Sequence, residues 1–492
     1  MELLRFARLG AFRPAERHMS AGAPAVESTS GPPFLDLASV GVSIAALGLS
    51  RLGFNLIGNG AFGIELVGSA NICLSIALLI GLPTSAGLAA AVSRFVPLCA
   101  DRADALRLVC ATMRLALLTV AAGLAIALLI LAVSRPARLT PDLLPVTVLW
   151  TVLYAVYALS RSHLYAERRV RQALVLELAG FASFAAALAV SRARPVLWWL
   201  PFAVYPLPVA GRALALWMRG PLSGRLGDWP GLTRFATLAF LGSASSLGIQ
   251  YGSTLVIGAT GGAASAGVWA TLTSIAAPVL LLPRSLSTLY LPRLAKLTLA
   301  SREAFETMSA KHLRMATMCA LPIVALFALL GPYALPSVLG GSQDRTVLAT
   351  WTILCTSTYV VCRKEPLITA VAALGRAGVN ATAAFVGATA CAIVWILAPM
   401  FIPQLLAVAA GALVQAFGTP TVAAWLAQRR DAAHRVRWSI RLSDAAMLTV
   451  AALSLLAPLD PRAVLSGILV VLVATSIEIW HARTADRALG PS

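Results

Sequence analysis

Apolar runs of about 18 or more residues follow one another along almost the whole chain. The runs are continuous, rich in Ala and Leu, and show no two-residue alternation, so they predict helices. Because only helices and closed barrels satisfy their backbone polar groups in lipid, the pattern predicts an all-α, polytopic membrane protein. About fourteen transmembrane helices fit, at residues 36–58, 66–92, 109–133, 143–161, 172–190, 196–217, 235–257, 264–292, 315–334, 347–374, 378–399, 402–426, 440–457 and 463–481.

The composition agrees with this pattern. Hydrophobic residues make up 59% of the 492 residues and charged residues 12%, and the mean hydropathy is +0.82, values typical of multi-span membrane proteins. The formal charge of +19 does not predict a nucleic-acid partner, because the basic residues are scattered between the apolar runs. The seven cysteines lie mostly inside those runs without Cys-x-x-Cys or His spacing, so neither a metal nor another cofactor is predicted.

The distribution of Arg and Lys predicts the orientation, because cytoplasmic loops carry an excess of them. With the N-terminus inside, three of the 39 basic residues fall within spans, and most of the others face the cytoplasm. Both termini are therefore predicted to be cytoplasmic. The outer side receives only Arg135, Arg138, Arg192, Arg194, Arg345 and Arg462.

An offset of 199 residues aligns the first helical hairpin with the seventh and eighth helices. The offset spans an even number of helices, so the two halves are predicted to be parallel repeats, a known transporter design with the substrate site between the halves. Under this offset Arg51 corresponds to Gln250. The aligned pairs are Leu56 with Leu255, Gly63 with Gly262, Gly68 with Gly267 and Arg94 with Arg293.

The helices and the repeat together predict the organisation of the chain. Two lobes of six helices are followed by two further helices. The predicted parts are a cytoplasmic tail at 1–34, an N-lobe at 35–218, a cytoplasmic linker at 219–234, a C-lobe at 235–427, and helices thirteen and fourteen with a C-terminal tail at 428–492.

Three segments carry a resemblance to a known family: "LSRLGFNLIGNGAFGIELVG", "GLPTSAGLAAAVSRFVP" and "AGVWATLTSIAAPVLLLPRSLSTLYLPRLAKL". With the two six-helix lobes, they resemble the multidrug/oligosaccharidyl-lipid/polysaccharide (MOP) exporter superfamily and, within it, the bacterial polysaccharide or O-antigen flippases. "LSRLGF" is also similar to the first helix of lipid II flippases, which follow it with an Arg and an Asp that "NLIGNGAFG" lacks.

The resemblance implies alternating access, in which the lobes open a central cavity first inward and then outward. It implies a lipid-linked anionic glycan as cargo, a polyprenyl-diphosphate-linked oligosaccharide whose tail stays in the bilayer of the bacterial plasma membrane. Membrane lipids, and a polysaccharide polymerase or glycosyltransferases, are the implied partners.

Arginines inside the spans are candidates for the cavity, because a charge at mid-membrane costs about 2.5–3.5 kcal/mol on insertion scales. Arg51 lies too deep in the first helix to reach either interface easily, and its guanidinium suits a diphosphate. A structural pair with Glu65 or a helix carbonyl is the alternative for Arg51. Arg284 follows Pro283 in the eighth helix, where either a cavity position or snorkelling fits.

The stretch "CRKEP" sets three charges in the tenth helix. Arg363 stands about 12 residues before Gly375, roughly 18 Å along a helix and near the middle of a core about 30 Å thick. We expect Arg363 or Lys364 in the cavity, with Glu365 paired to the other or to a neighbouring helix. Glu365 is also the candidate for ion coupling. Alternatively, the tenth helix ends at Cys362 and the rest is re-entrant or interfacial.

Other polar residues in the spans have two interpretations. Asn55 and Asn59 on the first helix, and Gln250 on the seventh, suit sugar hydroxyls but also suit contacts between helices. Glu177 is expected to pair with a local Arg. Arg94, Arg114 and Arg212 lie near inner helix ends and are interpreted as topology anchors.

Two other functions compete with a flippase. A drug or cation antiporter of the same superfamily needs cavity carboxylates, yet the deep charges are mainly Arg and Lys, with Glu365 the exception. A membrane enzyme using the same donor lipid needs a sizeable outer loop or a cytosolic domain with carboxylates, which the sequence does not predict, so we do not expect an enzyme. A scaffold that keeps the fold without transport is a further alternative.

Overall fold

The computed structural model describes residues 34–96, 99, 101–134, 143–167, 169–219, 231–281, separate positions between 283 and 297, and then 301–339, 344–374, 376–430, 442–456 and 460–488. Regular structure within these ranges is helical, without a strand, which confirms the all-α prediction. Nearly all of the predicted cytoplasmic tail and most of the predicted linker lie outside the described residues.

Six helical segments form the N-lobe. The second is bent, and the sixth is preceded by the short helical pieces Pro195–Leu197 and Leu200–Val204. The helices are α1 (Phe34–Phe62), α2 (Ile64–Ile80, continued by Pro83–Leu88 and Ala89–Phe95), α3 (Arg102–Ser134), α4 (Leu144–Ala166), α5 (Val170–Ala193) and α6 (Leu207–Arg219).

The C-lobe and two further helices complete the fourteen. Leu232–Ala276 is divided at Gly262 into α7 (232–261) and α8 (263–276, continued by the 3-10 turn Ala277–Leu280). The others are α9 (Arg302–Leu339), α10 (Arg345–Ala373), α11 (Ala377–Leu397), α12 (Gln404–Arg430), α13 (Leu442–Leu456) and α14 (Pro461–Ala488). Each overlaps one predicted span.

Among the described residues, eight helices are long and apolar enough to cross a membrane when α7 and α8 are counted together as one helix, or nine when the bent α2 is added as one span. α10 is not among them because charged and hydroxyl side chains interrupt its apolar sequence. Large apolar side chains such as Leu129, Ile396 and Leu469 lie exposed on the outside of the bundle. Such a surface suits lipid rather than water, and the protein is a multi-pass membrane protein.

One glycine closes the first helical hairpin of each lobe. Gly63 joins α1 to α2 with φ 83°, and Gly262 joins α7 to α8 with the same φ. This left-handed region is accessible to glycine without a Cβ penalty. The residues are related by the predicted offset, so the two lobes repeat the same backbone turn at the same place, as the parallel repeat predicts.

The lobes meet near these turns in what we call the glycine contact, formed by Gly68 of α2 and Gly267 of α8. A Cβ on Gly68 would lie 1.7 Å from the carbonyl oxygen of Ala263, so the two backbones leave no room for a side chain between them. Beside this contact, Asn59 donates to Thr271 Oγ1 at 3.1 Å.

A second meeting of the lobes lies at the other end of α2, and we call it the Phe235 contact. α2 bends by 52° after Ile80, before Pro83, which cannot donate a helix hydrogen bond. The bend carries α2 onto α7, where the Arg94 guanidinium lies 4.6 Å from the centre of the Phe235 ring. Arg94 therefore contributes to the lobe interface, in addition to its predicted role as a topology anchor.

Aromatic packing fixes α1 in the N-lobe. Phe54 is fully buried, and its ring centre lies 4.7 Å from that of Phe202. Trp150 and Phe184 pack on the same Phe202 ring at 5.4 and 5.6 Å. This cluster fixes the rotation of α1, on which Arg51 lies three residues before Phe54 and about 60° from it around the helix.

Candidate functional site

A cavity of about 230 Å³ lies between α1, α2 and α4 of the N-lobe and α7 and α8 of the C-lobe. Three arginines line it, Arg51 from α1, Arg161 from α4 and Arg284 from the helical continuation of α8, and we call it the cationic cavity. None of the described residues that line it is a carboxylate. Arg51 and Arg284 are two of the residues predicted from the sequence for a cavity between the lobes.

Arg51 is held by a neighbouring helix. Its Nε donates to Oδ1 of Asn71 on α2 at 3.2 Å, whereas Glu65, the carboxylate considered as a partner, is exposed at the start of α2. The hydroxyl of Tyr154, which lines the same cavity, is buried without a hydrogen-bond partner in the described residues. A buried donor beside three guanidinium groups suits an anionic, acceptor-rich ligand.

Arg161 was not among the site residues predicted from the sequence. Its Nε lies 3.3 Å from Oε1 of Glu177, a carboxylate that is 1% exposed, so the predicted pairing of Glu177 with a local Arg is confirmed. Tyr157 and Tyr205 each donate a hydroxyl to Glu177 at 2.7 Å. Tyr154, Tyr157, Arg161 and Tyr165 recur at helical spacing on α4, a polar stripe by which the sequence reveals this face.

A larger cavity of about 450 Å³ lies within the C-lobe, among α7, α8, α10, α11 and α12. It shares Gln250, Thr273 and Arg284 with the cationic cavity, so the two spaces adjoin there. We call it the polar cavity because hydroxyl and amide side chains line it. They are Ser243, Ser246, Ser253, Ser357, Thr358, Asn380, Gln415 and Thr419.

The charges of α10 point in two directions. α10 runs without a break through Pro366, so the alternative in which the helix ends at Cys362 is wrong. Lys364 and Glu365 line the polar cavity. Arg363, which is 2% exposed, forms an ion pair with Asp444 of α13 instead. The expectation that Arg363 lines the cavity is therefore corrected, because the 100° turn per residue directs it away from Lys364 and Glu365.

Asn55 also departs from its predicted position at the cavity. Its Nδ2 donates to the carbonyl oxygen of Ala270 at 3.1 Å and to Ser274 Oγ at 2.7 Å, both on α8 of the opposite lobe. The side chain is fully buried and lines neither cavity in the described part of the chain. Asn55 joins the lobes, as the alternative interpretation of these polar residues expected, while Gln250 lines both cavities.

Comparisons with known proteins show the fold. No protein-family profile and no curated protein sequence matches the chain. Its fold is that of solved transporter structures that are 12–15% identical to the chain.

Solved structures with this fold include the lipid II flippase MurJ in an inward closed conformation. It has 12% sequence identity and a TM-score of 0.68, over 92% of this chain and 100% of that one. A multidrug resistance MATE family transporter of the MOP superfamily, inward-facing, has 14% identity and a TM-score of 0.60, over 80% of this chain and 97% of that one. The MATE multidrug transporter DinF-BH, in a ligand complex, has 15% identity and a TM-score of 0.58, over 83% of this chain and 98% of that one.

An outward-facing MATE family transporter of the MOP superfamily is also similar in fold, with 14% identity and a TM-score of 0.51, over 82% of this chain and 96% of that one.

Proposed function

We propose that this protein is an alternating-access flippase for a polyprenyl-diphosphate-linked oligosaccharide or a related cell-envelope lipid intermediate. The observation that carries the proposal is the cationic cavity, with three arginines and no carboxylate among its described lining residues. Arginines at membrane depth are costly, and they mark the pathway of an ion or a charged substrate.

The arginines suit a diphosphate in charge and geometry. A guanidinium binds phosphate oxygens through two parallel N–H groups, and such charge-assisted bonds are about twice as strong as neutral ones. Arg161 is oriented by Glu177, and Arg51 by Asn71, so two of the three donors are held in place before a ligand arrives. Their positions on α1, α4 and the continuation of α8 place positive charge on both lobes.

The polar cavity suits the glycan of the same cargo. Hydroxyl and amide groups line it, and it adjoins the cationic cavity at Gln250 and Arg284. A diphosphate bound at the arginines would extend its first sugars past Gln250 into this space. Lys364 adds a positive charge inside it, which suits acidic sugars.

Transport in this scheme alternates between the two lobe contacts. Opening the Phe235 contact exposes the cavities to one side, and opening the glycine contact exposes them to the other. With the N-terminus and C-terminus in the cytoplasm of a bacterium, as the Arg and Lys distribution predicts, the Phe235 contact is the inner one. Glycosyltransferases then supply the cargo, and a polysaccharide polymerase takes it up outside.

A cation antiporter is the second candidate, and Glu365 is the observation that favours it. This carboxylate lines the polar cavity, where Asn380 Oδ1 and Thr419 Oγ1 are buried without hydrogen-bond partners in the described residues. Oxygen atoms of this kind suit a proton or sodium site, which a cation antiporter requires and an ion-driven flippase can also use. The neighbours MurJ and MATE represent these two alternatives, and a lipid II flippase is a variant of the first.

Binding to the purified protein in nanodiscs separates the candidates. The flippase proposal predicts that a water-soluble isoprenyl diphosphate disaccharide binds and that Arg51→Ala or Arg284→Ala weakens binding about tenfold or more, because a hydrogen bond to a charged group contributes about 1.5–3 kcal/mol. Arg302→Ala, an exposed arginine on α9, is the matched control. Binding of a cationic dye that depends on Glu365, with no binding of the diphosphate, would instead establish the antiporter.

A further inference from the structure

The side chain that holds Arg51 belongs to a chain of hydrogen bonds that ends in the opposite lobe. Arg51 Nε donates to Asn71 Oδ1 at 3.2 Å, and Asn71 Nδ2 donates to Asn55 Oδ1 at 2.7 Å. Asn55 Nδ2 then donates to Ser274 Oγ at 2.7 Å and to the Ala270 carbonyl oxygen at 3.1 Å. The chain therefore runs from the cationic cavity, through α2 and α1, to α8.

The direction of every bond in this chain is fixed by its two ends. Arginine can only donate, so Asn71 must present its oxygen to Arg51 and its nitrogen to Asn55. The carbonyl of Ala270 can only accept, so Asn55 must present its nitrogen to α8 and its oxygen to Asn71. The two amide orientations are thus coupled, and neither side chain can flip without breaking a bond at each end.

The chain also has no spare donors. Both Nδ2 protons of Asn71 are used, one by Asn55 and one by the Val67 carbonyl oxygen at 2.9 Å. Both Nδ2 protons of Asn55 are used on α8. Asn55 and Asn71 are fully buried, so water does not replace a lost partner.

We infer that Asn71 is a positioning residue that couples the anion affinity of Arg51 to closure of the glycine contact. While the lobes are closed there, α8 holds Asn55, Asn55 holds Asn71, and Asn71 fixes Arg51 for the diphosphate. When α8 moves away, Asn55 loses both acceptors, the amides reorient, and Arg51 is released from its binding geometry. The anion site then weakens as the outer side opens, which favours release of the cargo there.

This inference rests on the proposed anion site and adds a mechanism to it. By thermodynamic reciprocity, an anion on Arg51 stabilises the closed glycine contact by the same factor as closure raises the affinity. Couplings of this kind change the affinity by a factor of about 5 to 150.

The test uses inorganic pyrophosphate as the probe and measures its affinity for the full-length protein in nanodiscs. Asn71→Leu should weaken binding about fivefold or more, whereas Ser75→Ala, a buried hydroxyl one turn further along α2, should not. Gly267→Ala separates the lobes, since its Cβ would lie 2.2 Å from the Ile64 carbonyl oxygen, and should weaken binding although Gly267 lines neither cavity.

The double variant tests whether Gly267→Ala lowers the pyrophosphate affinity by way of Asn71. In the Asn71→Leu background, Gly267→Ala should weaken pyrophosphate binding no further. Gly467→Ala, which makes a close contact with Leu329 in another part of the protein, should leave the affinity of both backgrounds unchanged. If Asn71→Leu does not fold, Asn71→Asp keeps the size and the acceptor for Arg51 and removes the Nδ2 donors. Its charge lowers the anion affinity by itself, so its test is that Gly267→Ala should weaken its pyrophosphate binding no further.

Failure of the proposed anion site and failure of the coupling through Asn71 give different results. Absence of pyrophosphate binding to the wild-type protein would overturn the anion site and the inference with it. Binding that depends on Arg51 but is unchanged in Asn71→Leu overturns the inference alone. Equal further losses on adding Gly267→Ala to the wild type and to Asn71→Leu also overturn it, because coupling through Asn71 requires the two effects to be non-additive.

Discussion

Gly68 of α2 and Gly267 of α8 face each other at the lobe interface, and a Cβ on either residue would collide with the backbone of the opposite helix. A Cβ on Gly267 would lie 2.2 Å from the Ile64 carbonyl oxygen, and one on Gly68 would lie 1.7 Å from that of Ala263. The two residues are also equivalent under the 199-residue offset. The pseudo-twofold axis of the repeat therefore passes close to this contact.

Substitution of Gly68 by Ala should destabilise the closed arrangement of the lobes. The added methyl has no room, and overpacking of this kind typically costs about 1–3 kcal/mol. Gly53→Ala on α1 is the matched control, because its Cβ would meet nothing within 4 Å. Thermal unfolding in detergent should show a lower Tm for Gly68→Ala than for Gly53→Ala, and equal values for the two variants would contradict the tight contact.

The ion pair of Arg363 and Asp444 joins the C-lobe to α13. Arg363 is 2% exposed and Asp444 15%, so removing one partner leaves the other charge with little water. Asp444→Ala should therefore destabilise the protein by about 3–5 kcal/mol, and the double variant Arg363→Met with Asp444→Leu by much less.

Thermal unfolding of Arg363→Met, Asp444→Leu and the double variant measures this coupling. The surface pair of Arg302 and Glu306, with half of the Arg302 side chain exposed, is the control, and Arg302→Ala should cost less than about 1 kcal/mol. A double variant as unstable as the sum of the single ones would show that the pair is not a unit.

Glu177 should affect the cavity through Arg161 rather than by touching a ligand. Glu177→Gln keeps the shape but removes the charge that holds the guanidinium, so stability should fall by about 1–3 kcal/mol. Pyrophosphate affinity should fall with it, because Arg161 loses its fixed orientation.

Tyr165→Phe provides the comparison. It removes the hydrogen bond that Arg161 Nε donates to the neutral Tyr165 hydroxyl at 3.2 Å and leaves the Glu177 carboxylate in place, so its effect on stability and on affinity should be smaller. A larger loss of affinity in Tyr165→Phe than in Glu177→Gln would contradict the role of the carboxylate.

Periodicity and the cost of charge in lipid predict much of this structure. The fourteen helices follow from apolar runs, and the equivalence of Gly63 and Gly262 follows from the repeat. The sequence predicts Arg51 and Arg284 at a cavity because a charge at that depth has few alternatives, and both side chains line the cationic cavity.

The sequence does not predict how each helix is rotated about its own axis, because a helix that is apolar on most sides has no clear buried face. Arg363 and Lys364 are adjacent, and the sequence could not tell which of them faces the cavity, because the deciding partner Asp444 lies 81 positions away on α13. Arg161 resembles an ordinary cytoplasmic anchor until α5 brings Glu177 beside it. These side chains are assigned by long-range packing rather than by their own spacing.

Glu365 remains the candidate for ion coupling, and its neutralisation tests that role. Glu365→Gln keeps the size of a side chain in the polar cavity but cannot exchange a proton or balance a sodium ion. We expect the variant to bind the diphosphate cargo and to flip it at a rate that no longer responds to an imposed proton or sodium gradient. Glu65→Gln, an exposed carboxylate at the start of α2, should keep the response. Flipping rates in proteoliposomes with and without each gradient measure the effect, and an unchanged response in Glu365→Gln would exclude this carboxylate as the coupling site.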